Sequence, residues 1–262
     1  MILIHGGRDH CRNWDWVAEQ LRDDYHIIAP DLRGHGDSQW MVGGAYNHID
    51  YVYDIAQLLH QKEMRDITVI GHSLGGSISL LYTALYPDWV KKLVVIEGMG
   101  PPPSMLKERM KQTMDERLHN WIADLRKLSG RQVRRYATLD EAVQRMQEEN
   151  PHLSQAQAFH LTVHGSNQNE DGTYSWKFDN YVRSFPPSGI AFEETAKLYG
   201  RITSPTLLIR GLESWASDPV ADGRTERFNC DLEVEAFADA GHWVQHDQLD
   251  GFVARVRQFL AD

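Results

Sequence analysis

The sequence has little cysteine. Two residues in 262, Cys11 and Cys230, lie far apart with no Cys-x-x-Cys spacing, which argues against a zinc ribbon, a redox pair or a disulfide framework and suits a reducing cytoplasm. No apolar run approaches the roughly 18 residues that a membrane span needs, so no membrane is expected as a partner. The opening Met1-Ile2-Leu3-Ile4-His5-Gly6-Gly7 has too short an apolar run, and no cationic flank, for a signal peptide. Positive charge is in deficit: 27 Lys and Arg stand against 37 Asp and Glu, a formal net charge of −10. Nucleic acid and acidic lipid surfaces would be repelled by such a chain. Internal repeats and low-complexity tracts are also missing. Of the 13 histidines, none sits in a His-Glu-x-x-His or His-x-x-Glu-His pattern, so His119, His152, His160 and His164 read as helix-surface residues and no metal is expected.

What is present is the composition of a folded globular chain, 42% hydrophobic and 24% charged, long enough for one large α/β domain or a core with an insertion. Short apolar strands alternate with helical patterns, as βαβ units of a parallel sheet do. Ile2–Ile4, His26–Ala29, Ile67–Ile70 and Leu93–Ile96 read as strands. Helical spacing follows the first over Trp14–Leu21, the second over residues 50–62 and the third up to Tyr86. Pro101-Pro102-Pro103 breaks the rhythm. From there to about Gly200 the pattern is amphipathic helix with no clear strand: residues 104–128, 138–149 and a stretch capped by Ser154 reaching His164. A loop-rich run then extends from Gly165 to Gly189. Strands return at Thr206–Ile209 and Leu232–Glu235, and a helix over Leu249–Leu260 closes the chain. The expected architecture is a mostly parallel sheet sandwiched by helices, with residues 1–98 and 201–262 as core and 99–200 as a helical insertion.

Gly71-His72-Ser73-Leu74-Gly75 is a G-x-S-x-G between a strand and a helix. Its small residues permit the sharp, strained turn that holds a serine hydroxyl above the end of a sheet, and the following helix points its N-terminus at the site. A serine hydroxyl is a weak nucleophile and needs a base. His242, in Gly241-His242-Trp243 just beyond the last strand, stands where the chain turns back over the sheet and last in the order serine, acid, histidine. His246 falls in the next helix. Two backbone N–H groups are needed to hold an oxyanion; Leu74, after the nucleophile, supplies one, and Gly7 in the His5-Gly6-Gly7-Arg8 loop the other. Trp243, beside the base, and Trp176, in the insertion, are candidate walls for a substrate pocket, although Trp121, Trp176 and Phe178 equally suit a small core of the insertion itself. Cys11 reads as a buried small hydrophobe.

His5-Gly6-Gly7, the loop Asp31-Leu32-Arg33-Gly34-His35-Gly36-Asp37-Ser38, Gly71-His72-Ser73-Leu74-Gly75-Gly76 and Gly241-His242 together resemble the α/β-hydrolase superfamily over nearly the whole chain. Leu139–Val143 through Trp176–Asp179 is similar to the cap of its serine-hydrolase-like branch. The resemblance implies a helical cap over the site, no cofactor, and hydrolysis of a small-molecule acyl substrate: an ester, thioester or lactone. Cleavage of a carbon–carbon bond in a diketone by the same residues, or a slowly catalytic ligand receptor on the same fold, are the alternatives.

The chain departs from that pattern twice. Such proteins usually begin with an antiparallel strand pair before the His-Gly strand, and this sequence begins at that strand, as a truncated start or a reduced sheet edge would. The acid is also displaced. Three residues beyond Gly211, where the family most often has aspartate, stands Ser214. Glu97, 24 positions after Ser73 at the end of Leu93–Ile96, ranks first as acid. It resembles the glutamate of certain haloalkane dehalogenases and lactone hydrolases. Glu213 is the alternative, and Asp218, before Pro219, fits a helix N-cap better.

Overall fold

The computed structural model describes residues 1–42, 46–187, 194 and 197–261. The Gly189 end of the loop-rich run and parts of the last third of the insertion lie outside these. Five strands form the central sheet: β1 (Ile2–Ile4), β2 (Ile67–His72), β3 (Val90–Ile96), β4 (Thr206–Gly211) and β5 (Leu232–Phe237). They lie in that order across the sheet, every neighbouring pair parallel. The sheet of residues 1–98 therefore continues directly into that of 201–262.

Side-chain alternation along each strand divides the core in two. Ile2, Ile4, Val69, Leu93, Val95 and Leu208 face one layer, and with them pack the helices α2 (His48–Gln61) and α3 (Leu74–Leu85) through Val52, Ile55, Ile78 and Leu81. Leu3, Ile70, Val94, Ile96, Leu207 and Ile209 face the other, against α1 (Asp15–Leu21) and the C-terminal helix Leu249–Ala261 through Val17, Leu21, Phe252, Val256 and Phe259. Both layers being covered explains why β2 reads as an unbroken apolar run and not an alternating one. Only β5, at the edge, is half-exposed, and Arg255 of the last helix closes over it by bonding Glu233 and Glu235.

Three expectations need correction. His26–Ala29 makes a single parallel bridge, Ile2 with Ile28, held by Leu3 N to Ile28 O at 2.9 Å and Ile28 N to Met1 O at 3.0 Å. Pro30 follows and has no N–H to continue a ladder. The helix expected over 104–128 is two, α4 (Pro103–Met110) and α5 (Met114–Ser129). The break falls where Thr113 and Glu116 form a reciprocal capping box, and Thr113-x-x-Glu116 is legible in the sequence. The insertion also contains strands: β6 (Ser166–Gln168) and β7 (Tyr174–Trp176) pair as an antiparallel hairpin, each too short to show an alternation.

The rest of the insertion follows its caps. Thr138 caps α6 (Leu139–Glu149), and Ser154 with Gln157 caps α7 (Gln155–Gly165). These two helices share a small core of Val143, Leu153, Ala158 and Leu161, against which Trp16 and Trp243 of the sheet domain pack. His10 Nε2 donates to Leu161 O at 2.9 Å and Gln157 Nε2 to His246 O at 3.0 Å. Beyond the hairpin the chain docks on the loop after the Ile28 bridge: Asp179 N donates to Gly34 O at 2.9 Å and Tyr46 Oη to Asp179 Oδ2 at 2.8 Å. Among the described residues, no helix is long and apolar enough to cross a membrane.

Candidate active site

The C-terminal ends of β1, β2, β3, β4 and β5 converge, the usual place for a ligand site on a parallel sheet. Ser73 occupies the single-residue turn between β2 and α3, with φ 52° and ψ −114°, a backbone state that costs about 1–3 kcal/mol and persists only when its surroundings enforce it. Glycine at 75 allows that enforcement. A Cβ there would lie 2.2 Å from Ile4 O, so only glycine lets α3 begin so close to β1. The Ser73 amide is tied to Ile96 O at 2.8 Å.

His242 follows β5 on a short turn, and its Nε2 lies 2.9 Å from Ser73 Oγ. The backbone of that turn is held by an unexpected residue. His72 Nε2 donates to the His242 carbonyl at 2.9 Å, which fixes the His72 tautomer. Complete burial holds His72 far below the ordinary imidazole range, and the facing His242 lowers it further. His72 is therefore a neutral, permanent donor.

Glu97, also at positive φ (53°), leaves β3 where its amide bonds Ile209 O at 2.9 Å. Its carboxylate is almost wholly buried, with 1% of the side chain exposed, and Oε2 stands 3.6 Å from His242 Nδ1. Two donors hold it there: Gly211 N to Oε1 at 2.7 Å and Ser214 Oγ to Oε2 at 2.9 Å. Ser214, at the position where the family pattern has its acid, thus serves the glutamate from the loop after the neighbouring strand. Glu213 points elsewhere. Its carboxylate is half-exposed and lies 3.3 Å from His152 Nε2. Asp218 caps its own turn through Val220 N at 2.9 Å and pairs with Arg210 at 3.1 Å.

Gly7 and Leu74 lie side by side: a Cβ on Gly7 would be 3.9 Å from Leu74 Cβ. Leu74 opens α3, so its N–H is one that the helix leaves without an internal acceptor. The Gly7 loop is anchored from below by His5, whose Nδ1 donates to Gly6 O at 2.7 Å while Nε2 accepts from Leu32 N at 2.9 Å. Burial, then the charge of His35, pushes His5 down to about 3. The Asp31–Ser38 loop is held likewise, Asp31 accepting from Cys11 N at 2.6 Å and Asp37 N at 2.9 Å. Burial followed by the Asp31 charge pushes the Cys11 thiol up to about 12, so it is no thiolate.

The two candidate pocket walls are placed differently. Trp243 has its ring edge-on to His72, inclined by 68°, and packs on the α6–α7 core. Trp176 donates from Nε1 to Tyr136 Oη at 3.1 Å and sits edge-on to that ring at 5.6 Å, a partner within the insertion. The aromatic residue on the base is Trp215, which carried no sequence signal. Its ring lies 4.6 Å from that of His242, tilted by 32°, and is 81% exposed. Arg224 is a second residue without a sequence signal. Only 2% exposed, it donates to Met99 O, Gly100 O at 2.8 Å, Ser217 O at 3.0 Å and Asp222. It joins the chain leaving Glu97 to the loop that carries Ser214. Asp15, His160 and His164 also come together, with ligand atoms within 4.8 Å of one another. Arg12 supplies a cation there, bonding Asp15 at 2.6 Å.

A parallel sheet with a serine on the strand–helix turn, facing a histidine and a buried carboxylate from later strand ends, defines the α/β-hydrolase architecture. The family model for the alpha/beta hydrolase fold matches residues 1–249, and the chain belongs to that family. It is 27% identical over 163 residues to a serine hydrolase-like protein of Danio rerio, across 60% of this chain and 48% of that protein. The chain thus spans about half the length of that relative. An esterase of Mycobacterium tuberculosis is 25% identical over 261 residues, 99% of this chain and 82% of its own. A hypothetical protein of Pseudomonas aeruginosa has the same fold in its crystal structure, with a TM-score of 0.84 at 23% identity, covering 100% of this chain and 91% of that one.

Proposed function

We propose that the protein is a serine hydrolase that cleaves a small-molecule ester, thioester or lactone through an acyl-enzyme on Ser73. The observation that carries this reading is the 2.9 Å contact of Ser73 Oγ with His242 Nε2, with the Glu97 carboxylate facing the opposite ring nitrogen. Ser73 attacks the carbonyl carbon as His242 takes its proton. The negative charge that develops on the carbonyl oxygen is held by the Gly7 and Leu74 N–H groups, donors fixed in place before the reaction and so needing no reorganisation. Glu97 orients the imidazole and stabilises its cation; at 3.6 Å its contact is loose, as such contacts often are before substrate tightens them. The leaving group departs with the proton from His242. Water then attacks the acyl carbonyl by the same route in reverse, releasing the acid and restoring the serine.

Residues 99–200 are proposed as the cap. Their docking on Trp16 and Trp243 beside the site supports that reading. The two free thiols suit a reducing cytoplasm. A p-nitrophenyl ester series, read with fluorophosphonate labelling, tests the proposal: turnover and stoichiometric labelling are expected of the protein and neither of Ser73→Ala. Acyl-ligand binding without turnover in the unaltered protein would make it a receptor, and turnover of a diketone alone a carbon–carbon hydrolase.

A further inference from the structure

No residue of α4 or α5 is buried, yet beside them, closed by the turn at Asn180–Arg183, runs a groove of about 570 Å³. Its walls carry Arg109, Arg117, Lys127, Arg131 and Arg183 against a single carboxylate, Asp124. In a chain of net charge −10 this is a local reversal of sign. Asp124 is taken up by Lys127 at 3.4 Å. Among the described residues, the four arginines have no carboxylate at ion-pair distance. Arg183 lies over the Phe178 ring and Arg117 reaches the Met114 sulfur. Two donors lining the groove, Arg117 Nε and Trp121 Nε1, are buried with no acceptor among the described residues. Like charges gathered in excess of their counter-charges oppose folding, and such a cluster is stabilised when an anion enters it.

The turn that closes the groove is tied to the loop beside the reaction centre: Arg183 lies over the Phe178 ring, Phe178 pairs with His35 in a lone antiparallel bridge, and the His35 ring stands 5.3 Å from that of His5. Burial holds the Arg183 guanidinium below its ordinary value, and the charges of Arg8 and Arg131 add to that effect against the opposing charge of Glu149. Arg8 directly follows Gly7, beside Ser73. Guanidinium forks match phosphate oxygens bidentately. One carboxylate would need one fork, whereas several forks along a groove of this size suit an extended polyanion, and the volume falls within the roughly 300–1,000 Å³ of small-molecule sites.

We propose that this groove binds the phosphate-bearing leaving group of an acyl thioester, nucleotide in size, and so brings the thioester carbonyl to Ser73. This rests on Ser73 being the nucleophile. The bond from Ser73 oxygen to the acyl carbon forms, the carbon–sulfur bond breaks, and the thiol leaves with the proton that His242 had taken; water then releases the acid.

The test compares a short acyl thioester of coenzyme A with the same acyl group on N-acetylcysteamine, which lacks the phosphates. The unaltered protein should favour the coenzyme A thioester in kcat/KM by roughly tenfold or more, the effect of at least one charge-assisted contact. The advantage should lie in KM and shrink as salt is added. In Arg117→Ala/Arg131→Ala the ratio between the two substrates should fall towards one. A ratio near one in the unaltered protein, or one that survives the double substitution, overturns the proposal. So does stimulation of p-nitrophenyl ester turnover by free coenzyme A, which would mark an effector site. Titrating coenzyme A into Ser73→Ala by calorimetry reads the groove by itself. Binding there with no turnover of any ester in the unaltered protein would sink the nucleophile assignment and leave the groove standing, whereas absent binding sinks the groove alone.

Discussion

Glu97 and Ser214 divide between them what one side chain usually does. The carboxylate comes from the end of β3, and Ser214, in the loop after β4, keeps it in place with a hydroxyl. If Glu97 is the acid, Glu97→Gln should lower turnover steeply with little change in KM, because an amide can neither enforce the imidazole tautomer nor stabilise its cation. In the serine-protease template the equivalent loss is about 10⁴-fold. Glu213→Gln, whose carboxylate faces His152, should leave turnover within a few-fold by the same assay. Steady-state kinetics on one ester decides between them. Trp215 makes a finer prediction. A Trp face over an imidazolium at an exposed site contributes about 0.5–1 kcal/mol, so Trp215→Ala should cost a few-fold in kcat and Trp215→Phe should recover part of it. No change in either variant would reduce Trp215 to a surface residue.

Arg224 works on segments larger than a residue. Its guanidinium satisfies the carbonyls of Met99, Gly100 and Ser217 and is itself neutralised by Asp222 at 2.8 Å. Replacing it with Met removes every one of these donors and leaves buried carbonyls and a carboxylate without partners. Breaking such a buried pair costs about 3–5 kcal/mol, measurable as a lower midpoint in urea. Turnover should fall with it, since the two segments joined are those that carry Glu97 and Ser214. Nothing in the sequence marks Arg224, because the two main-chain oxygens that tie it to the Glu97 segment lie over 100 positions away. The strand–turn–helix at Ser73 was legible, since strain at that turn demands a local pattern of small residues. That Glu97 follows β3 was legible from the strand pattern, whereas its rank as the acid came from the family resemblance once Ser214 stood in the usual place. His72 and Trp215 were not, their partners being set by how β2 and the loop after β4 meet His242 in space. At the level of elements, long amphipathic helices and fully buried strands were readable, whereas the three-residue strands of the insertion and the single bridge at Ile28 fall below the length at which a period can appear.

Across the whole molecule, stability is coupled to pH through groups whose burial outweighs any opposite charge near them. Burial pushes His5 down to about 3, His10 to about 4 and His246 to about 3. Unfolded, each takes a proton below about 6.5. Their contribution is thus fully present above that pH and lost as pH falls towards 3–4. Asp9 runs the other way. It lies under the Gly7 loop, accepting from His10 N at 2.9 Å and from the Asn13 amide, which Gln245 in turn joins at 3.3 Å to the helix after His242. Burial raises its carboxyl to about 8. The unfolded chain releases that proton near 4 while the native state keeps it, so stability is lost as pH climbs from about 4 to 8. Between 4 and 6.5 the histidines outnumber it. Above 6.5 Asp9 continues alone among these four, and the melting temperature should pass through a maximum near neutrality. Asp9→Asn removes the titration whatever it does to the absolute midpoint. The difference in melting temperature, variant minus unaltered protein, should therefore rise from about pH 4 to pH 8 and level off above it. Parallel curves over that window would mean that Asp9 ionises in the native state, and that the network under the Gly7 loop holds a carboxylate.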